Sequence, residues 1–226
     1  SSDVCSSDLN FLFASFQDKR NNQNKPANMG NGLSPVRSRD QFLRQYRATE
    51  EDYWEIRRDF RLACDTKKQY ISKANWDKLW KDDCAAMREC MDKVWAAFDV
   101  KKEGKMTLAE FLLFIGVQQY GTLRQRIAGS FAVYDVNHDG QLDREELRSM
   151  FQFLSKLKLA RQLQALNAAI DSVELRPDVK KQIDALADKF LATLDTDKSG
   201  SLDFDEIIKG CTHDPECLRL FGGGEY

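Results

Sequence analysis

Twelve residues starting at Asp135 (DVNHDGQLDREE) and twelve starting at Asp195 (DTDKSGSLDFDE) repeat a single arrangement of oxygen donors. Side-chain oxygens stand at positions 1, 3, 5 and 9, glycine at 6, an aliphatic residue at 8 and glutamate at 12. A hard divalent cation of calcium's kind takes about six to eight oxygens, and such a loop supplies them by alternating short donors and closing on a two-oxygen glutamate. Glycine at position 6 allows the sharp turn, because it carries no Cβ. An acidic surface turn can match such a pattern by chance, but two matches at all these positions in one chain argue against that. The chain is expected to bind calcium.

In the first of these loops Asp135, Asn137 and Asp139 supply side-chain oxygens, Gln141 its backbone carbonyl and Asp143 a water-mediated contact, with Glu146 closing the shell. In the second the same roles fall to Asp195, Asp197, Ser199, Ser201 through its carbonyl, Asp203 and Glu206. Leu142 and Leu202, at position 8, are expected to pair across a short two-stranded ribbon.

Two weaker copies lie upstream. Asp99 to Glu110 (DVKKEGKMTLAE) keeps Asp99, Glu103, Gly104, Thr107 and Glu110, with Lys105 placed to offer a carbonyl and Met106 at position 8. Lys101 puts a cation at position 3, so Asp99, Glu103, Lys105 and Glu110 form only a weaker third candidate site. Cys64 to Asn75 (CDTKKQYISKAN) has Gln69 for the glycine and Asn75 for the glutamate, yet keeps Ile71 at position 8. It reads as a scaffold hand that completes a pair.

The segments around all four loops share apolar helix-face spacing: Phe60, Trp95, Phe131 and Leu191 before them, Trp76, Phe111, Leu147 and Ile207 after them. Successive loops begin 35, 36 and 60 residues apart, at Cys64, Asp99, Asp135 and Asp195. Repetition of this kind means an array of one supersecondary unit. The expected fold is all-α, with four helix–loop–helix hands in two paired lobes and a short two-stranded β-ribbon between the loops of each. Helices are expected over 40–63, 73–97, 108–118, 122–134, 144–172, 178–194 and 204–211, with a closing turn at 215–221. Thr122 and Asp178 are the expected N-caps, beside the boundary residues Gly121 and Pro177.

From about residue 29 to 221 the chain resembles the neuronal calcium sensor, recoverin-like branch of EF-hand proteins. SFAVYDVNHDGQLDREEL and LDTDKSGSLDFDEIIKGCTHDPECLRLF carry the resemblance, with Asp214, Pro215, Leu218, Leu220 and Phe221 closing the end and a disabled first hand around Cys64. Lys101 and the longer linker between the last two hands depart from the family pattern. The resemblance implies an apolar groove on the N-terminal half that receives a target helix or an acyl chain. Its candidates are Trp76, Leu79, Trp80, Trp95, Phe98, Phe111, Leu112, Phe114 and Ile115, with Met87 and Met91 as adaptable contacts. Taken singly, each of these apolar residues reads first as core.

Residues 1–9, SSDVCSSDL, can be back-translated as a common sequencing adapter, and the first methionine is Met29. Residues 1–28 are therefore expected to be a non-native leader. Starting at Met29, the chain reads MGNGLS, which places Gly30 and Ser34 in the myristoylation pattern. A single acyl chain binds membrane only marginally, and Arg37, Arg39, Arg44 and Arg47 offer a second, electrostatic signal, although they read equally well as solvated helix charges. The expected organisation is 29–48 as acylation segment and arm, 49–118 as the N-terminal pair, 122–211 as the C-terminal pair and 212–226 as a tail.

A net charge of −2 gives no sign of nucleic-acid binding, and with 31% charged residues the chain has no long apolar run. Cys64, Cys84, Cys90, Cys211 and Cys217 form no CxxC motif and are expected to be reduced thiols packed in the fold. His138 and His213 have no nucleophile-and-base constellation around them, so no catalysis is expected. The expected function is a cytoplasmic, reversibly membrane-associated calcium sensor for a target protein helix, with two calcium sites and the weaker third. A calcium buffer and a calcineurin B-like regulatory subunit of a phosphatase or kinase are the alternatives. The sequence leaves the oligomeric state open.

Overall fold

A computed structural model of the protein describes residues 33, 36–64, 68–81, 83, 85–99, 101–165 and 174–221. The expected leader, Gly30, the 166–173 linker and the final five residues lie outside the described residues. The chain divides into two compact units. One holds the described residues up to 82 together with Val94–Gly129, the other Asp83–Lys93 and the chain from Ser130 onward.

In the first unit, α1 (Arg39–Tyr46) starts at Ser38, whose Oγ accepts from the Gln41 N–H at 3.2 Å. It stops at Arg47, which turns left-handed with φ 52°. α2 (Glu50–Ala63) then begins on a capping box: Thr49 Oγ1 accepts from Asp52 N–H at 3.1 Å, and Asp52 Oδ2 accepts from Thr49 N–H at 2.8 Å. The single helix expected over 40–63 is therefore two. The helix expected over 73–97 is also two, α3 (Lys73–Leu79) and α4 (Ala85–Phe98), because Trp80 N–H turns back to the Asp77 carbonyl and tightens the last turn of α3.

Between α2 and α3 lies β1 (Tyr70–Ser72); after α4 come β2 (Lys105–Thr107) and α5 (Leu108–Ile115). β1 and β2 pair antiparallel with Ile71 opposite Met106. α5 runs on as a π-helical turn over Gly116–Tyr120. A Cβ on Gly116 would lie 2.4 Å from Tyr46 Cε2, so glycine is what lets α1 rest there, and the Phe42 and Tyr120 rings meet edge-on nearby. The core of this unit is aromatic. Trp76 packs against Trp80, Trp95 and Phe114, Phe98 against Phe114, and Phe60 against Phe111.

α6 (Leu123–Tyr134) is capped as expected by Thr122, whose Oγ1 accepts from Gln125 N–H at 3.3 Å. In the second unit follow β3 (Gln141–Leu142), α7 (Arg144–Ala165), α8 (Pro177–Leu194), β4 (Leu202–Asp203), α9 (Phe204–His213) and α10 (Pro215–Phe221). The cap of α8 is Arg176 rather than Asp178. Proline suits the first helical position, which leaves Asp178 in the first turn, where its charge faces the positive end of the helix dipole. β3 and β4 pair antiparallel with Leu142 opposite Leu202, both fully buried. Arg144 meets Asp188 at 2.6 and 3.1 Å and Arg148 meets Asp184 at 2.7 Å, so two ion pairs align α7 with α8. The Phe151 and Phe190 rings stack edge-on between the same helices, 5.1 Å apart. Among the described residues, no helix is long and apolar enough to cross a membrane.

Candidate metal centre

The two loops of the second unit are built alike. Position 1 folds the loop around itself: Asp135 accepts from the N–H groups of Asp139 and Gly140, both at 3.1 Å, and Asp195 from those of Ser199 and Gly200 at 3.1 and 2.9 Å. This needs left-handed backbone at positions 4 and 6, supplied by His138 (φ 59°) with Gly140 (φ 80°), and by Lys198 (φ 60°) with Gly200 (φ 87°). The Gly200 N–H, followed by that of Ser199 among the favourable contacts, holds the Asp195 carboxyl below the usual carboxylate range, with burial working the other way.

Position 12 joins loop to helix. Glu146 accepts from Val136 N–H at 2.9 Å and from Asp143 N–H at 3.1 Å; Glu206 accepts from Thr196 N–H at 2.7 Å, Thr196 Oγ1–H at 2.9 Å and Asp203 N–H at 3.0 Å. Both glutamates are buried and stand in the first turn of an exit helix, capped by Asp143 and Asp203, whose Oδ1 atoms accept from the glutamate N–H groups at 2.8 Å. Each glutamate carboxylate therefore moves with its helix.

The carboxylates of Asp195, Asp197 and Glu206 bring oxygens within 4.8 Å of one another. Ser199 adds a hydroxyl that donates to the Ser201 carbonyl at 3.1 Å. In the other loop Asn137 Oδ1 accepts from Asp139 N–H, and Asp139 Oδ1 from Gln141 N–H, both at 2.9 Å. These donors are all oxygens and largely carboxylates, which is the chemistry of a hard divalent cation such as calcium and unlike the nitrogen or sulfur set of zinc.

The Asp99–Glu110 stretch has the same backbone without the same donors. Asp99 accepts from Glu103 N–H at 3.1 Å and Gly104 N–H at 2.8 Å, with left-handed Lys102 and Gly104, and Glu110 caps α5 with Thr107. Glu103, however, is paired with Lys105 Nζ at 3.1 Å, and Lys101 is an exposed cation at position 3. At the far end of the first stretch, Asn75 Nδ2 donates to the Ala63 carbonyl at 3.1 Å, so the side chain at position 12 ties α3 to the end of α2 as a donor.

The family model for an EF-hand domain pair matches residues 124–212, the segment that carries these two loops. A Recoverin family protein of Dictyostelium discoideum is 25% identical over 136 residues, covering 59% of this chain and 60% of its own length. Calaxin of Xenopus laevis is 29% identical over 133 residues, covering 58% and 62%, and human Guanylyl cyclase-activating protein 3 is 26% identical over 130 residues, covering 58% and 54%. The chain carries an EF-hand domain pair over 124–212 and is similar to recoverin-type proteins. The matches span less than two thirds of each relative's length. By their printed names the first of these is a recoverin family protein and the last an activator of guanylyl cyclase.

The groove candidates Trp76, Trp80, Trp95, Phe98, Phe111, Leu112, Phe114 and Ile115 are buried in the first unit's core, and Leu79 is half-buried. Met91 is buried and Met87 half-buried. Two contacts escaped the sequence reading: the Thr196 hydroxyl on Glu206, and the hydrogen bond from Ser201 Oγ to Gln141 Oε1, which links the two loops side chain to side chain. Thr196 occupies a position with no fixed ligand role, and the Gln141–Ser201 contact depends on ribbon register, so neither is marked by the ligand pattern.

Proposed function

We propose that the protein is a calcium sensor whose third and fourth hands take one ion each and whose apolar core then opens to receive a target protein helix. The observation that carries this reading is the pair of ribbon-linked loops, in one of which the oxygens of Asp195, Asp197 and Glu206 converge, with Glu146 and Glu206 riding on exit helices α7 and α9. Asp135, Asn137, Asp139, Gln141, Asp143 and Glu146 hold one ion, and Asp195, Asp197, Ser199, Ser201, Asp203 and Glu206 the other. A bound calcium supplies a point charge that draws these oxygens together. In sensor hands such binding swings paired helices apart and uncovers apolar surface. Trp76, Leu79, Trp80, Trp95, Phe98, Phe111, Phe114 and Ile115 form the receiving surface, and an acyl chain on Gly30 brings the protein reversibly to membranes from the cytoplasm.

The packed state of the aromatic core favours one second reading, a calcium buffer whose apolar surface stays covered. A calcium titration of the full chain with a hydrophobic fluorescent probe, in magnesium, separates the two. The sensor gives a calcium-specific rise, and Glu146→Gln and Glu206→Gln each remove one ion from the stoichiometry. Two bound ions without a rise would refute the sensor and favour the buffer or a regulatory subunit whose groove is always occupied. An unchanged stoichiometry in both variants would refute the ligand assignment. An intact mass of the natural protein tests acylation, since a free or acetylated terminus excludes it.

A further inference from the structure

We propose that Cys211 and Cys217 are a modification site, a dithiol that a peroxide converts to a disulfide fastening α10 to α9. The two sulfurs lie 3.2 Å apart, one on each helix, across the corner at Asp214 and Pro215. Cys217 is fully buried and Cys211 is 4% exposed. Plain packing would account for two small buried thiols, but these two face each other in hydrogen-bond contact, and the fold makes room for that approach. A Cβ on Gly210 would lie 3.1 Å from Cys217 Sγ and 2.8 Å from Leu194 Cδ2. A bond needs about 2.05 Å between sulfurs, a closure of little more than an ångström by two side chains on a short segment.

The chemistry balances with one peroxide. A sulfur attacks a peroxide oxygen, the O–O bond breaks and hydroxide leaves, giving a sulfenic acid. The second sulfur then displaces that hydroxyl and the S–S bond forms. Two thiols and one hydrogen peroxide become one disulfide and two waters, and the two electrons pass from sulfur to oxygen. The hydrogen bond shared with Cys211, and then burial, push the Cys217 thiol up and keep it protonated. Cys211, the more exposed of the pair, is the sulfur that meets the oxidant.

The site sits where it would matter. α10 leaves α9 at the corner and ends at the buried Phe221, whose carbonyl accepts from Ser130 Oγ–H at 3.2 Å on α6. It therefore straps the exit helix of the fourth hand to the entering helix of the third. A disulfide makes one end of that strap covalent and restrains α9. This restraint, unlike the cross-link itself, rests on the sensor reading.

The full chain is treated with hydrogen peroxide and weighed, then alkylated and peptide-mapped. The expected result is a loss of about 2 Da, a 211–217 cross-link, and a thermal midpoint in chelator raised by roughly 5 °C for so short a closed loop. Cys217→Ser should abolish the cross-link. Because that variant can fail to fold, a Cys64→Ser/Cys90→Ser variant, in which the pair is intact, must still show it. Alkylation of both Cys211 and Cys217 after peroxide treatment would overturn the proposal. In the calcium titration the oxidised form should lose at least half of the reduced form's probe signal. A cross-link with an unchanged signal would overturn the restraint alone, since the reduced protein tests the sensor reading by itself.

Discussion

Replacing Gly210 with alanine sets two effects of opposite sign against each other. Gly210 lies inside α9, where alanine is favoured over glycine by about 1 kcal/mol. If nothing approached closely, Gly210→Ala would stabilise the protein by that amount. The new Cβ would fall 2.8 Å from Leu194 Cδ2 and 3.1 Å from both Leu194 Cδ1 and Cys217 Sγ. Leu194 and Cys217 are buried, so neither can step aside into solvent, and overpacking of this kind costs about 1–3 kcal/mol. The net effect is a destabilisation of about 1 kcal/mol, a fall in thermal midpoint of roughly 2–4 °C for a chain of this size. Leu194 also immediately precedes Asp195, so the fourth hand should lose calcium affinity while the third keeps it. Thermal denaturation followed by circular dichroism, with and without chelator, reads the first effect, and a calcium titration the second. Adding Leu194→Val should relieve part of the clash and make the double variant less unstable than the sum of the singles. A midpoint that rises by the full helix-propensity gain would refute the close packing of α8, α9 and α10.

Three other outcomes are expected. Lys101→Asp places a carboxylate at position 3 of a loop whose Lys102 and Gly104 already hold the left-handed backbone, so calorimetry should find one more calcium per chain; an unchanged stoichiometry would show that the Lys105–Glu103 pair blocks the site. Burial raises the pKa of Tyr46 to about 12, and Tyr120 is raised as well, first by burial. A phenol whose folded pKa exceeds its unfolded value stays neutral while the unfolded chain ionises, so stability is full below about pH 10 and falls as pH rises toward 12, by up to about 1.4 kcal/mol per unit and group. Denaturant melts across that range should show the loss, and Tyr46→Phe should lessen it. Gln141→Ala removes the side-chain link to Ser201 and should cut the coupling between the two calcium sites by about 1 kcal/mol; equal Hill coefficients for variant and parent would rule that link out as the carrier.

What was legible in the sequence is what depends on local spacing. Leu142 opposite Leu202 and Ile71 opposite Met106 follow from position 8 alone, and Thr122 caps its helix as its side chain dictates. The division of 40–63 was legible too, had the Thr49–Asp52 box been weighed against the apolar periodicity that runs through it. Other features need partners remote in sequence. The Tyr46 ring lies over Gly116, 70 positions away, where the π-helical turn begins, and no composition signal marks that contact. The Arg144–Asp188 and Arg148–Asp184 pairs join helices whose register only the fold sets. The aromatic residues read as groove candidates were also read as core, and ring packing around Trp76 puts them in the core.

β1 has a consequence beyond the loop it follows. Its three residues occupy one side of β2, whose backbone N–H and C=O groups would otherwise form an open edge, a template for pairing with another chain. Losing the oxygen donors of the first loop costs the protein an ion, whereas losing Ile71 and its neighbours would leave β2 free to pair with another chain. The most degraded hand thus still supplies β2 with its paired strand.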